Sequence, residues 1–210
     1  TDPTDTTDTT SPVLAEVTPV QTPRNTTNVD YTFSSSEAGE ITTGGSGNCV
    51  LNSGSSAVEG NNTISMLVPG DGDYDDCELQ VTDAAGNEGT LAISGFTVDS
   101  VRPWLEEVTP IAGPTTSSTS DYTFSSDEAG TISFEGGCTS DTTDATTGSN
   151  TIPVTVSGDG TYDDCTLSVT DPAGNTGTLD LSPFEVDTSG PLLVSSSPAD
   201  DETSVDVGVN

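Results

Sequence analysis

The sequence contains no histidine, no lysine and only 2 arginines among its 210 residues. Without imidazole or amine side chains, it lacks the commonest general base and the usual Schiff-base nucleophile. Its net charge of −33 repels phosphate backbones and anionic membrane surfaces, and two guanidinium groups do not make a basic groove. No apolar run approaches the roughly 18 residues of a membrane span. We therefore expect neither nucleic-acid binding nor membrane insertion by this segment.

The sequence instead contains one pattern twice. Residues 12–99 and 103–187 each begin with a short apolar stretch, continue through DYTFSS-x-EAG, NTI and DG-x-Y-x-DC, and close with VTD-x-AGN and F-x-VD. Tandem repetition at a fixed period indicates an array of similar units. We divide the chain into an acidic Thr/Asp-rich linker (1–11), repeat 1 (12–100), repeat 2 (101–189) and a C-terminal segment (190–210).

The cysteines fall two to a repeat, at Cys49 and Cys77 and at Cys138 and Cys165. Their spacing fits no C-x-x-C metal or redox motif, and no histidine is present to complete a zinc site. We predict one disulfide inside each repeat, which implies an oxidising, extracellular environment.

Short runs of alternating apolar residues predict β-strands, and no stretch has sustained helical periodicity. The expected inward positions of repeat 1 include Tyr31/Phe33, Ile64/Met66 and Leu79/Val81, with equivalents in repeat 2. The alternation changes phase between Ile93 and Phe96, and again between Leu181 and Phe184, which predicts a β-bulge in the last strand of each repeat.

Turn chemistry separates these strands. Gly86 and Gly174 of the D-x-AGN turns are expected at positive φ, with Asp83 and Asp171 accepting bonds from backbone amides. Tyr74 and Tyr162 fit a tyrosine corner. Together the strands predict an all-β fold of two tandem immunoglobulin-like Greek-key β-sandwiches with one disulfide each.

The ordered motif set, present twice, resembles the bacterial immunoglobulin-like (Big-type) tandem repeats of large secreted or cell-surface adhesin-like proteins. The resemblance covers roughly residues 12–190. One departure concerns the disulfide: Cys49 and Cys138 lie after the third strand, so we expect a bridge to the sixth strand within a single sheet. The resemblance also implies calcium at the junctions between modules, with Asp99 and Asp187 as its foremost ligands and Glu106 and Glu107 beside Asp99.

A second acidic cluster fits the hard-oxygen preference of calcium, although neither cluster matches an EF-hand loop. The alternative interpretation is that these carboxylates cap turns and face solvent. The cluster comprises Asp71, Asp73, Asp75 and Asp76, echoed in repeat 2 by Asp159, Asp163 and Asp164.

Catalysis is not expected. Glu37 and Glu128 recur in the E-A-G turn of both repeats, and a catalytic residue need not be duplicated in every module, so we interpret them as turn residues. Trp104 is the one aromatic residue outside an apparent core position. We expect it to pack at the module interface, with binding of a surface glycan or protein as the alternative.

The sequence thus predicts a structural spacer or stalk segment of an extracellular, adhesin-like repeat protein, stiffened by calcium and in contact with neighbouring modules. Two alternatives remain. The C-terminal segment resembles the opening strands of a further immunoglobulin-like unit, but the alternation of Val205, Val207 and Val209 also fits a strand donated to a neighbouring subunit in a filament. The other alternative is a carbohydrate- or protein-binding module.

Overall fold

The computed structural model describes residues 8–45 and 49–192. All regular structure in these residues is β-strand, in two similar sandwiches that we call module 1 and module 2, after repeats 1 and 2. The C-terminal alternation of Val205, Val207 and Val209 lies outside the described residues. The described residues include no helix with the length and apolar character needed to cross a membrane.

Module 1 has two four-stranded sheets and a two-stranded ribbon. Sheet I has the strand order β1-β2-β6-β4, sheet II the order β5-β3-β8-β9, and β7 pairs with β10 in the ribbon. The strands are β1 (Leu14–Thr18), β2 (Asn28–Ser35), β3 (Gly39–Gly44), β4 (Val50–Ser53), β5 (Ser56–Ala57), β6 (Gly60–Leu67), β7 (Gly72–Tyr74), β8 (Glu78–Thr82), β9 (Glu88–Ala92) and β10 (Phe96–Val98).

Module 2 repeats this topology. Its sheet I has the order β11-β12-β16-β14, its sheet II the order β15-β13-β18-β19, and β17 pairs with β20. The strands are β11 (Leu105–Thr109), β12 (Thr119–Ser126), β13 (Gly130–Glu135), β14 (Cys138–Thr139), β15 (Asp144–Ala145), β16 (Gly148–Val156), β17 (Gly160–Tyr162), β18 (Thr166–Thr170), β19 (Thr176–Asp180) and β20 (Phe184–Val186).

Each core lies between sheets I and II and is built from the alternating residues that the sequence predicts. On β2, Tyr31 and Phe33 are fully buried while the intervening residues reach the surface. Leu79 and Val81 on β8 complete the same layer from sheet II. Module 2 has a separate core of equivalent residues. The fold is therefore two tandem immunoglobulin-like sandwiches, each with its own core, as predicted.

The two disulfides join Cys49 to Cys77 and Cys138 to Cys165, one in each module. The expectation that both half-cystines belong to one sheet was wrong. Cys49 directly precedes β4 of sheet I, whereas Cys77 directly precedes β8 of sheet II. The reason is that the strand after β3 crosses to sheet I and pairs with β6. Each bridge therefore crosslinks the two sheets of its sandwich.

The predicted bulge in the last strand was also wrong. The chain leaves β9 after Ala92, and Phe96 begins a new strand that pairs with β7. The alternation of buried and exposed residues restarts because the chain enters a new strand with a different pairing partner. Register shifts lie instead in the first strands, between Glu16 and Thr18 and between Glu107 and Thr109, and in β4 between Leu51 and Ser53.

The tyrosine corner is present in both modules. The Tyr74 hydroxyl donates to the Gly70 carbonyl (2.7 Å), and the Tyr162 hydroxyl donates to the Gly158 carbonyl (2.8 Å). The Tyr74 ring stacks on Phe96, with 5.2 Å between ring centroids. The corner thus holds the β7–β10 ribbon, which carries the chain to the end of the module.

Candidate functional site at the module joint

The segment that leaves module 1, residues 99–103, is anchored where it departs. The Asp99 amide donates to the Arg24 carbonyl (2.8 Å). The Ser100 amide (2.9 Å) and hydroxyl (2.8 Å) both donate to Asp71 Oδ1. Asp73 accepts a bond of 2.7 Å from the Thr97 hydroxyl. Asp71 and Asp73, which the sequence offers as calcium ligands, thus accept hydrogen bonds that fix the start of the linker.

The same segment is anchored again on module 2. The Trp104 amide donates to Asp127 Oδ1 (2.6 Å), and the Asp127 amide donates to the Trp104 carbonyl (3.3 Å). Pro103 is buried, and a Cβ atom on Gly177 would overlap the Pro103 carbonyl oxygen. Only glycine allows so close an approach at this position of β19. The linker is therefore docked against module 2.

Three carboxylates meet where the linker arrives. Asp99 from the linker, Glu128 from the E-A-G turn and Asp171 from the D-x-AGN turn each place an oxygen within 4.8 Å of the others. Asn175 ties two of them together, because its side-chain amide donates to the Asp99 carbonyl and to Asp171 Oδ2, both at 2.8 Å. The arrangement joins residues of both modules in one acidic cluster, which we call the joint triad.

Module 1 has an equivalent cluster at the same end. Asp8, Glu37 and Asp83 also lie within 4.8 Å of one another. The side-chain amide of Asn87 donates to the Asp8 carbonyl (3.1 Å) and to Asp83 Oδ2 (2.8 Å). The arrangement therefore belongs to the module and its preceding linker, and it is built twice.

The joint triad is electrostatically unfavourable by itself. Burial, followed by the negative charges of Asp99, Asp127 and Asp171, raises the pKa of Glu128 above its usual range. Glu128 Oε2 is buried and accepts no hydrogen bond within the described residues. A buried acceptor without a partner costs stability. A cation placed here would satisfy this oxygen and offset the repulsion.

The donor set fits calcium. Calcium takes six to eight hard oxygen ligands from carboxylates, carbonyls and water, in flexible geometry. The joint triad offers three carboxylates, one of them on the nine-tenths-buried Asp171 (6% exposed). Asp99, Glu128 and Asp171 are the residues that would hold the ion, which would crosslink the linker to two turns of module 2.

The other predicted ligands lie elsewhere. Glu107 accepts bonds from the Ser182 amide (3.0 Å) and hydroxyl (2.5 Å), and so fixes the passage from β19 to β20. Its counterpart in module 1 is Glu16. Glu106 is exposed on β11. Within the described residues, neither these glutamates nor the set Asp71, Asp73, Asp75 and Asp76 forms a cluster like the joint triad.

Asp187, the expected counterpart of Asp99, is exposed. Its amide donates to the Thr115 carbonyl (2.9 Å), as that of Asp99 does to Arg24. Asp159 accepts bonds from the Thr188 amide and hydroxyl, and from the Ser189 hydroxyl. These hydrogen bonds, with that of Ser189 foremost, lower the pKa of Asp159. The segment after module 2 is thus anchored like the segment after module 1.

Trp104 does not pack at a module interface within the described residues. Its side chain is 67% exposed, although its backbone is bonded to Asp127. The equivalent residue of module 1, Val13, is 70% exposed. The modules instead make contact beside Gly174. The side-chain nitrogen of Asn25 lies 3.6 Å from the position that a Cβ atom added to Gly174 would take.

Sequence reasoning missed five residues of the two clusters as ligand candidates, namely Asp8, Glu37, Asp83, Glu128 and Asp171. Turn roles were assigned to the last four, and the roles of Asp83 and Asp171 as acceptors of backbone amides are confirmed. The available signal was the recurrence of D-x-x-x-P before each module, at residues 8–12 and 99–103, together with the recurring glutamate of E-A-G.

Comparisons with known proteins do not assign the chain to a family. No protein-family model matches it, and no curated protein is a significant match. Fibronectin(III)-like modules of Clostridium thermocellum CbhA resemble it with a TM-score of 0.44 and 12% identity, over 83% of this chain and 92% of that chain.

A second solved structure is the Bacteroides ovatus mixed-linkage glucan utilization locus protein SGBP-B, in complex with a mixed-linkage heptasaccharide. It has a TM-score of 0.21 and 16% identity, over 78% of this chain and 42% of that chain. At this level of similarity, neither structure says what this chain binds or does.

Proposed function

We propose that this chain is a spacer segment of an extracellular, adhesin-like repeat protein at the cell surface, in which calcium stiffens the joint between modules. The observation that carries the proposal is the joint triad, because it combines a linker carboxylate with two carboxylates of the following module. The disulfides support an oxidising environment outside the cell.

The mechanical argument rests on the two anchors of the linker. Asp71 holds Ser100 on the module 1 side, and Asp127 holds Trp104 on the module 2 side. Few linker residues between these anchors are left to bend. The Asp99 carboxylate accepts a bond from the Val101 amide (3.1 Å) and lies beside the like charges of Glu128 and Asp171. Calcium removes that repulsion and adds bonds across the joint, so the bound joint resists bending.

Calcium titration of the whole chain tests this proposal. We expect small-angle scattering to show a narrower distribution of lengths as calcium is added, and calorimetry to show a higher melting temperature. Binding at 100 times the dissociation constant stabilises a folded state by about 2.7 kcal/mol. Asp99→Asn and Glu128→Gln should weaken both responses.

Asp121→Asn is the matched control, since Asp121 is an exposed carboxylate on β12, away from the triad. If the chain has the same dimensions and the same stability with calcium and with chelator, the calcium part of the proposal is wrong. A calcium-dependent change in scattering that persists in Glu128→Gln would place the ion outside the joint triad.

A second candidate function is binding of a glycan or protein by module 2. The observation that favours it is the exposed indole of Trp104, the only tryptophan in the chain. Indole rings offer a flat apolar face with a polar edge, which suits stacking on sugars. Glycan-array binding that Trp104→Ala abolishes would support this role. Binding that survives the substitution would remove Trp104 from it.

A further inference from the structure

The segment that enters module 2 alternates between docked and exposed residues. Pro103 and Leu105 are buried, and Glu107 is bonded to Ser182. Because alternate residues of an extended chain share a face, the residues before and between these three lie side by side on the outer surface, about 7 Å from one to the next. We call them the outer strip. Its members are all exposed, namely Arg102, Trp104 and Glu106.

The corresponding segment of module 1 has the same docked residues but a different outer strip. The docked proline, leucine and glutamate recur there as Pro12, Leu14 and Glu16. All three exposed positions differ, because module 1 has small or uncharged side chains there, namely Ser11, Val13 and Ala15. Module 1 docks its segment without a cation, an indole or an outward carboxylate. The outer strip of module 2 is therefore not needed for docking the segment.

Arg102 makes no contribution to the fold through polar contacts. The other arginine of the chain, Arg24, makes three hydrogen bonds, to the carbonyl and hydroxyl of Thr26 and to the Asn28 carbonyl. Within the described residues Arg102 makes no hydrogen bond and no ion pair, although the chain contains 35 acidic residues. Its guanidinium is thus available to a ligand. A guanidinium is a planar fork that pairs with a carboxylate through two parallel hydrogen bonds.

The indole of Trp104 is carried on an ordered backbone. The Trp104 amide and carbonyl are both bonded to Asp127, which continues the ladder between β11 and β12 beyond Leu105. The side chain itself is 67% exposed. Because the backbone is already fixed, a ring that stacks on this indole does not have to order it first, which lowers the cost of binding.

We propose that the outer strip binds a sugar that carries a carboxylate, which is a uronic acid within a glycan. The sugar ring stacks on Trp104, its carboxylate pairs with Arg102, and hydroxyls at the other end of the ring donate to Glu106. The opposite charges of Arg102 and Glu106 set the direction of the ring on the indole. The inference rests on the second candidate function, binding by module 2, and names its ligand.

The charge of the chain limits this ligand further. A net charge of −33 repels polyanions, so densely charged glycans are not expected to bind. A single carboxylate is attracted by Arg102 at close range, and at 0.15 M salt exposed charges more than about 8 Å away are largely screened. The glycan that fits is therefore neutral apart from isolated uronic acids.

Titration with two matched sugars tests the inference. Methyl β-glucuronide and methyl β-glucoside differ only in the carboxylate that replaces the hydroxymethyl group. Trp104 is the only tryptophan in the chain, so the NMR signal of its indole N–H reports binding at this position alone. We expect both sugars to shift this signal, with the glucuronide bound about fivefold more tightly, as a well-formed exposed ion pair allows.

Two variants separate the parts of the site. Arg102→Gln should lower the affinity for the glucuronide to that for the glucoside, without changing the glucoside or the melting temperature. Trp104→Ala should abolish binding of both sugars, measured by saturation transfer to the ligand because the indole signal is gone. Val108→Ala is the matched control, since Val108 is an exposed residue of the same strand outside the strip, and it should change neither affinity.

Three results would overturn the inference. An indole signal that neither sugar shifts removes the sugar site. Equal affinities for the two sugars, or a preference that Arg102→Gln leaves unchanged, mean that Arg102 does not select a carboxylate. An acetylated peptide with a single glutamate that binds more tightly than the glucuronide would identify the partner as a protein.

Failure of this inference is distinguishable from failure of the proposed functions. Equal affinities that Trp104→Ala abolishes reject the acidic sugar and leave glycan binding by module 2 intact. The calcium response of the joint is read by scattering, and Arg102→Gln should not change it. A chain that binds the glucuronide but does not respond to calcium keeps this site and loses the calcium part of the spacer role.

Discussion

Modules 1 and 2 have the same contacts at their ends and in their cores, and they differ in the side chains on the outer faces of their sheets. The tyrosine corner, the inter-sheet disulfide and the carboxylate cluster on which the preceding linker docks occur in both. The outer faces of the sheets diverge. Val50 and Leu67 form an exposed apolar pair on sheet I of module 1, and the corresponding pair in module 2 is Thr139 and Thr155.

Sheet II shows the same divergence. Across its outer face, module 1 places Glu40, Thr82 and Glu88 in one row. The equivalent row of module 2 is Thr131, Thr170 and Thr176, in which two hydroxyls lie 2.9 Å apart. A ligand-binding face would need its own side chains in each module that uses it, whereas a spacer needs only soluble sides and matching ends. The comparison therefore favours a role at the joints.

The largest expected effect concerns the disulfides, which should contribute equally if the modules are equivalent. The bridges close loops of similar length, with sequence separations of 28 and 27. Replacing Cys49 and Cys77 together by serine should lower the stability of module 1 by about 3–4 kcal/mol in the chain-entropy account. Calorimetry that resolves two transitions should show only one of them shifted.

The matched variant replaces Cys138 and Cys165 by serine, and should lower the other transition by the same amount. Unequal losses of stability in the two variants would show that the two disulfides do not contribute equally. A loss below about 1 kcal/mol in both would mean that the reduced chains keep the sheets together without the crosslink.

An intermediate effect is expected for the glycines against which the linkers dock. Gly177→Ala places a methyl group against the Pro103 carbonyl, and overpacking of this kind costs about 1–3 kcal/mol. The linker should move away from module 2, so scattering should show a wider range of module orientations. In module 1 a Cβ atom on Gly89 would meet the Pro12 carbonyl in the same way. Gly89→Ala should therefore weaken docking of residues 8–12 by a similar amount without changing the joint.

The control for both is Gly44→Ala, because no atom lies within 4 Å of the added Cβ and the backbone is not left-handed there. If Gly177→Ala matches this control in stability and in scattering, the close approach of the linker is not needed to dock it.

Much of the fold was predictable because it depends on local patterns. Alternation placed Tyr31, Phe33, Leu79 and Val81 in the core, and motif spacing located the tyrosine corners. The path of the chain between sheets was not predictable. The crossing of β4 to sheet I and the change of partner before Phe96 depend on tertiary pairing, which alternation along a single strand does not encode.

The candidate site was predictable only in part. Asp99 stood out because it ends a repeat close to a proline. Its partners Glu128 and Asp171 did not, because a turn already accounted for each of them, and because they come from separate parts of the chain. Docking of the linker brings them together, and nothing in the local sequence specifies that contact. Glu107 shows the converse: it is near Asp99 in sequence, but it accepts hydrogen bonds from Ser182.

The smallest expected effect tests the cost of charge at the joint triad. In the folded chain the pKa of Glu128 is raised, by burial first and then by Asp99, Asp127 and Asp171. Folding therefore favours its protonated form: this contribution is present below the unfolded pKa and is lost as the pH rises through the folded pKa. In chelator, Glu128→Gln should melt on the order of 2 °C above the parent chain at neutral pH, a fraction of a kcal/mol for domains of this size.

The difference between Glu128→Gln and the parent chain should disappear in acid, where the parent glutamate is itself protonated. The matched control is Glu135→Gln, which changes an exposed glutamate of the same module outside the joint triad. With calcium the order should reverse, because the amide no longer supplies a charged ligand. If Glu128→Gln is less stable than the parent in chelator at neutral pH, the ionised glutamate already has a favourable partner, and the argument for a cation at the joint loses its electrostatic basis.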